Sequence, residues 1–239
     1  MEWTKEKKIK FDHCIIGEPT SNKNVGDKLK IGRRGSINFF IKVKGIQGHT
    51  ANAYRAENPA HHLIALLHRI ISTPLDQGNK HFLSSLIQIP TIDIGNPAAN
   101  VIPEVAKATI NIRFNNNHTG ESLKQWLKDH IANQFKNVTK ATCTFITDQI
   151  GESFLTKPGE LSILVSSACR EINKTNRDPE LATDGGTSDA RFIKDYCEIL
   201  EVGLVNRTLH QVNEYVKTED LHKLHDLYLL ILEKYFNKV

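Results

Sequence analysis

Between Ser36 and Thr147 the spacing of apolar residues switches repeatedly between two periods, and the order of the switches admits few folds. Ile37, Phe39, Ile41 and Val43 recur at every second position, the signature of a half-buried strand. Asn58-Pro59 then pairs an N-cap residue with proline at the first helical position, and Leu63, Ile64, Leu67, Ile70 and Ile71 give the next helix an apolar stripe. A second strand is expected over 83–94 and a third over 105–114, where Ala106, Ala108, Ile110, Ile112 and Phe114 alternate with polar neighbours. Thr119 is placed to cap a second helix bearing Leu123, Trp126, Leu127, Ile131 and Phe135, and 141–147 reads as a fourth strand. The order β-α-β-β-α-β is that of a ferredoxin-like unit, predicted here over residues 30–148.

The flanks obey other rules. Residues 2–10 read as the end of a polar helix, and 11–16 as a short buried strand that ends at Gly17-Glu18-Pro19-Thr20. Glu18 is either a turn glutamate or a carboxylate facing a cleft, since α/β proteins gather their sites at strand ends. Beyond the insert, Lys157-Pro158-Gly159 breaks the chain, 160–175 is amphipathic, 197–202 is a short strand, and 219–236 is a helix with Leu221, Leu224, Leu227, Ile231 and Tyr235 inward. Neither flank shows enough strands to build a sheet of its own. Segments 1–29 and 149–239 are therefore expected to form one α/β domain, interrupted by the α+β insert.

Of the 239 residues, 39% are hydrophobic and 24% charged, enough for a sizeable core. The net charge of +4 comes without a long Lys/Arg run, which weighs against a nucleic-acid partner and suits a small anionic ligand. The four cysteines form no C-x-x-C pair, as expected of reduced thiols in the cytoplasm. The first residues lack the apolar stretch of a signal peptide, and no apolar run is long enough to suggest a membrane partner.

Two further stretches carry chemistry. Ala182-Thr183-Asp184-Gly185-Gly186-Thr187-Ser188-Asp189-Ala190-Arg191 joins adjacent glycines to hydroxyls and an arginine, and Asn206 and His210 come shortly after. Taken alone this is a polar turn, either a surface loop or a place where bare N–H groups meet an anion. The same residues belong to a longer set: Gly17-Glu18-Pro19-Thr20, Gly32-Arg33-Arg34-Gly35-Ser36, Gly45-Ile46-Gln47-Gly48-His49-Thr50-Ala51, Ala56-Glu57-Asn58-Pro59, Ala99-Asn100-Val101-Ile102-Pro103, Gly185-Gly186-Thr187-Ser188-Asp189-Ala190-Arg191-Phe192 and His210-Gln211-Val212-Asn213-Glu214. In this order they resemble the succinyl-diaminopimelate desuccinylase branch of the dinuclear-zinc deacylases and peptidases, which also include acetylornithine deacetylase, aminoacylase and carboxypeptidases.

The resemblance implies a zinc-peptidase-like catalytic domain, interrupted by a lid through which two subunits form a homodimer. It implies two zinc ions per complete site, with cobalt an alternative, and hydrolysis of an N-acyl polycarboxylate. It assigns Glu18 to one metal and His210 to the other, both residue types that zinc accepts in hydrolytic sites. His49 becomes the lid histidine that reaches the partner subunit's site and donates to the oxyanion of the tetrahedral intermediate. Arg33, Ser36, Asn100, Arg113, Gly186, Thr187, Arg191 and Asn206 become the residues that hold substrate carboxylates, for which guanidinium forks and backbone N–H groups are suited.

This chain also departs from the family pattern. Ala51 is followed by Asn52-Ala53 where the desuccinylases usually carry Tyr-Pro, with Tyr54 as the nearest replacement. The H-x-D motif, bridging aspartate and Glu-Glu pair that precede the Gly-Glu-Pro-Thr strand in the family have no counterpart here. The sequence thus reads as the later, larger part of such an enzyme, expected to be inactive without the earlier ligands and general base, which a separate N-terminal segment would have to supply. The same residues leave open a deacylase of another N-acyl amino acid, such as acetylornithine, and a non-catalytic dimerisation module.

Overall fold

The computed structural model describes residues 2–186 and 188–237, so Thr187 lies outside the described residues. In chain order the first elements are α1 (Glu2–Glu6), β1 (His13–Ile16), β2 (Lys28–Lys30) and β3 (Gly32–Arg33). Next come β4 (Gly35–Lys44), β5 (Gly48–His49), a 3-10 helix (Thr50–Arg55), α2 (Pro59–Ile71), β6 (Leu86–Asp93), β7 (Val101–Ile102), β8 (Val105–Phe114), α3 (Gly120–Phe135) and β9 (Thr142–Thr147). The last are β10 (Phe154–Leu155), α4 (Glu160–Ile172), β11 (Glu180–Ala182), α5 (Ala190–Ile193), β12 (Glu198–Glu201) and α6 (Thr218–Phe236). The chain divides into one unit of 1–34 with 154–239 and a second unit of 35–153.

In the second unit the sheet order is β6-β8-β4-β9, with every neighbouring pair antiparallel. This is the ferredoxin-like order, in which each helix crosses over to carry the chain past a strand. Alternation explains the core. Ile37, Phe39, Ile41 and Val43 meet Ala106, Ala108, Ile110, Ile112 and Phe114 on one face, where Leu63, Leu66, Leu67 and Ile70 of α2 and Leu123 and Leu127 of α3 cover them. Both helix starts are chemically marked. Asn58 Oδ1 accepts from the Ala60 N–H at 3.0 Å, and Thr119 and Ser122 exchange side-chain and backbone bonds in a capping box. Pro90, which has no N–H for the ladder, sits where β6 shifts register between Gln88 and Thr91, at the edge of the sheet.

In the first unit the two flanks build one four-stranded sheet together, β1-β12-β2-β11, each contributing two strands. The two strands missed in the sequence, Lys28-Leu29-Lys30 and Glu180-Leu181-Ala182, are three residues each, too short to display a period. Leu29, Leu200 and Val202 pack against Leu161, Leu164, Val165, Ala168 and Cys169 of α4 and Leu227 and Ile231 of α6.

Three expectations need correction. Residues 30–34 fall in the first unit and 149–153 in the second, because Arg33 pairs with Phe154 between β3 and β10, whereas Ser36 bonds Gly151 inside the second unit. On α2, Ile64 and Ile71 are 57% and 56% exposed, since they lie beside the stripe made by Leu63, Leu67 and Ile70 rather than on it. On α6, Leu221 is 46% exposed, at the first turn, ahead of the buried Leu227 and Ile231. Among the described residues no helix is long and apolar enough to cross a membrane.

Candidate active-site segments

In the first unit one row of the sheet runs across all four strands. Ile16 pairs with Glu201, Glu201 with Lys30, and Lys30 with Ala182. From this row the chain continues in one direction at Gly17-Glu18 and Val202-Gly203, which follow the parallel strands β1 and β12, and in the opposite direction at Thr183-Asp184, because β2 and β11 run antiparallel to them.

The first of these segments is tied down by its neighbours. Thr20 Oγ1 donates to the Lys28 carbonyl at 3.0 Å and accepts from the Gly203 N–H at 3.2 Å, while Ser21 Oγ donates to the Gly203 carbonyl at 2.7 Å. Gly203 has to be glycine: a Cβ there would stand 2.3 Å from the Glu18 carbonyl and 2.8 Å from that of Gly17. Glu18 is half-buried on this fixed backbone. Asn206 is bound to the same loop, its N–H reaching the Ser21 carbonyl at 2.9 Å. His210 sits in the left-handed region at φ 61, and its N–H donates to Glu214 Oε2 at 3.2 Å. The turn is closed by Thr208 Oγ1, 2.8 Å from the Tyr215 carbonyl.

The glycine-rich turn is held at both ends by buried charge. Before it, Lys30 bonds Asp184, and Lys28 stands 3.7 Å from Asp184 and 3.2 Å from Glu180. Burial pulls the Lys30 ammonium below the usual lysine range; burial would push the Asp184 carboxyl up, but the bond and charge of Lys30, together with the charge of Lys28 and a backbone bond, hold it below the usual carboxylate range. After the turn, Glu201, 1% exposed, takes both Nε (2.9 Å) and Nη2 of Arg33 and the Ser188 hydroxyl at 2.5 Å. Arg33 Nη1 also donates to the Gly186 carbonyl at 3.2 Å. Gly185 takes φ 99 between these anchors, and the space beside Gly186, where a side chain would stand, is open.

The Arg33 side chain, 10% exposed, thus ties the turn to Glu201 through its bonds to that carboxylate and to the Gly186 carbonyl. That Glu201 would meet Arg33, and Lys30 meet Asp184, was not legible in the sequence, because in Lys28-Leu29-Lys30 and Glu198-Ile199-Leu200-Glu201 a charged residue at a strand end looks solvent-facing. Arg191 differs from Arg33: it stacks over the Phe192 ring at 4.5 Å, and its Nε is buried with no partner among the described residues.

In the second unit the candidates fall into two pairs. Ser36 and Arg113 are direct partners across β4 and β8, half-buried on the face away from the helices. His49 and Asn100 lie together at the short β5–β7 ladder, where His49 pairs with Val101 and the Asn100 carbonyl accepts from the Thr50 N–H at 3.0 Å. His49 is exposed, and its Nδ1 accepts from the Ala51 N–H at 3.0 Å. Among the described residues no three His, Cys, Asp or Glu side chains come together in a way that would hold a metal ion.

A family model described as a peptidase dimerisation domain matches residues 31–139. Over 236 residues the chain is 48% identical to a succinyl-diaminopimelate desuccinylase of Paracoccus denitrificans, covering 99% of this chain and 61% of that protein. The counterpart from Ehrlichia canis is 43% identical over 244 residues, covering 99% and 60%. The chain thus spans about three fifths of the length of these curated relatives. Among solved structures, the aminopeptidase PepT of Bacillus cereus superposes with a TM-score of 0.77 at 16% identity, covering 95% of this chain and 58% of that one. The M20 family metallo-carboxypeptidase Sso-CP2 of Sulfolobus solfataricus gives 0.73 at 14%, covering 98% and 66%, so the fold is shared with both. Along nearly its whole length the chain is thus similar to the succinyl-diaminopimelate desuccinylases, and its residues 31–139 match the peptidase dimerisation domain model.

Proposed function

We propose that this chain serves as the lid and the later part of the catalytic domain of a metal-dependent amidohydrolase that cleaves N-succinyl-LL-2,6-diaminopimelate to succinate and LL-2,6-diaminopimelate. The observation that carries this reading is the 48% identity to a desuccinylase across 99% of the chain. In this reading Arg113 and Ser36, paired on neighbouring strands, hold one carboxylate of the substrate. The Gly186 backbone, with Thr187, Arg191 and Asn206, receives another, chemistry for which glycine N–H groups and a guanidinium are suited. Asn100 and His49 flank the reacting amide, with His49 donating to its oxygen as charge develops there.

The metal of such an enzyme, zinc or cobalt, would activate the attacking water. Glu18 and His210 have the donor types for it, one carboxylate and one imidazole. A catalytic zinc normally takes three protein ligands, and the described residues bring no such set together. The described residues alone thus do not fit a complete metal centre, and their part in the reaction is binding, orientation and hydrogen bonding.

The lid is also proposed as a homodimer contact. Ile64 and Ile71 on α2 and Leu86 and Ile92 on the edge strand β6 are large apolar side chains left exposed in one copy, as a self-associating surface would leave them.

The test is to join the chain to the segment of the Paracoccus denitrificans relative that it does not match, and to measure succinate release. Zinc-dependent cleavage of N-succinyl-diaminopimelate, with N-acetylornithine a poor substrate, is the expected result. Preference for the acetylated substrate would overturn the substrate assignment, and a metal-loaded chimera that cleaves neither would remove the support for the activity.

A further inference from the structure

We infer that the backbone N–H of Ala51 biases His49 toward the tautomer that carries its proton on Nε2, so that the exposed edge of this ring presents a hydrogen-bond donor in preference to a base or a metal ligand. The inference rests on the proposed function only for the identity of what receives the bond.

The geometry leaves the ring little choice. His49 is the residue before the 3-10 helix, with φ −75 and ψ 135, and its Nδ1 takes the place that an Asp or Ser oxygen holds in an ordinary N-cap, 3.0 Å from the Ala51 nitrogen. Its backbone is pinned on one side by the pairing with Val101 and on the next residue by the bond from the Thr50 N–H to the Asn100 carbonyl. An N–H can be donated only to a lone pair, so Nδ1 is unprotonated, and a neutral imidazole has only one other nitrogen to carry its proton. A metal on Nε2, or a proton taken up there by a general base, requires that nitrogen to offer a lone pair. The proton would then sit on Nδ1, facing the Ala51 N–H donor to donor. Asn, Gln or a water molecule would meet no such restriction. The arrangement therefore favours one role for this exposed histidine: donating a hydrogen bond to an acceptor. The helix it caps buries none of its own residues and is kinked at Asn52 (φ −116, ψ 37), so little besides its ends fixes it, and the cap serves the ring as much as the ring serves the helix.

The experiment uses the chain as it is, labelled with ¹⁵N-histidine, at pH 8.5, above the ordinary imidazole range. The resonance of His49 among the 11 histidines is identified by its loss in His49→Gln. The expected long-range ¹H–¹⁵N spectrum shows Nδ1 at the position of an unprotonated nitrogen, Nε2 at that of a protonated one, and a scalar coupling across the bond from the Ala51 N–H to Nδ1. In Ala51→Pro, which lacks the N–H, the ratio of tautomers should fall about fivefold toward that of the same chain in urea, the worth of one hydrogen bond. Ala51→Gly keeps the N–H and should keep the wild-type spectrum. A proton on Nδ1 in the wild type, absence of the coupling, or an unchanged ratio in Ala51→Pro would overturn the inference. The spectrum is read without substrate or metal, so a failure of the desuccinylase reading in the chimera leaves it standing, and its own failure leaves the activity to be judged by succinate release.

Discussion

Replacing Glu201 by glutamine removes one charge from the centre of the first unit and should be among the most destabilising single changes the chain tolerates. Glu201 is 1% exposed and binds two nitrogens of Arg33 and the hydroxyl of Ser188, and the Arg33 side chain is itself only 10% exposed. Breaking a buried pair from one side leaves the other charge uncompensated, at about 3–5 kcal/mol. The amide oxygen of glutamine still accepts one bond, which returns about 1 kcal/mol. A net loss of roughly 2–4 kcal/mol is expected, against a total of about 5–15 for a typical domain. Because the chain has two units, a single melting curve is a poor reporter. Native-state hydrogen exchange at Val202 and Ile31, whose N–H groups bond the Ile16 and Ala182 carbonyls, reads the first unit directly. The double variant Arg33→Met/Glu201→Leu removes both charges and should lose clearly less than the sum of the single changes. A loss below about 1 kcal/mol for Glu201→Gln, or strict additivity in the double variant, would refute the view that this pair braces the turn.

Other outcomes are expected from single features. Burial would push the Asp76 carboxyl up, but bonds from Ser85, the Gly78 N–H and Asn115 outweigh it and hold it below the usual carboxylate range. Its stabilisation is thus fully present above the unfolded value near pH ~3.9 and is lost as pH falls through the lower folded value. Asp76→Asn should weaken the second unit at neutral pH and flatten its acid limb in exchange measurements between pH 5 and pH 2, whereas an unchanged limb would count against Asp76. Burial pushes the Cys143 and Cys169 thiols up to about 12, so at pH 8 both should react with a thiol reagent only after denaturation. Gly203→Ala should destabilise the first unit by about 1–3 kcal/mol, because its Cβ has to displace the Glu18 backbone, as urea unfolding will show. Ile71→Lys on α2, exposed in one copy, should leave the fold intact by circular dichroism and shift sedimentation from dimer to monomer; a dimer that persists would move the contact elsewhere.

The ferredoxin-like order of the second unit was legible in the sequence because its strands are long, buried on one face only, and joined by helices with marked starts at Asn58 and Thr119. Under those conditions local periodicity and tertiary packing ask for the same residues. The segments around Glu18, Gly186 and His210 were legible only as members of a longer set of motifs, since Gly-Glu-Pro-Thr and the glycine-rich turn, each taken alone, read equally as ordinary turns. The role of Arg33 was not, because its partners Glu201 and Gly186 are far away in sequence, and an arginine awaiting an anionic ligand looks the same as one already holding a carboxylate. Likewise Lys28–Lys30 and Glu180–Ala182 reveal themselves as strands only by pairing with each other, being too short for their own residues to bury a face. The donor character inferred for His49 rests on one N–H two residues along the chain, whose direction depends on the backbone angles between them. Sequence decides which faces are apolar and where helices begin; which charge meets which, and which way a ring nitrogen points, is decided when distant segments close on one another and each buried polar group has to find a partner.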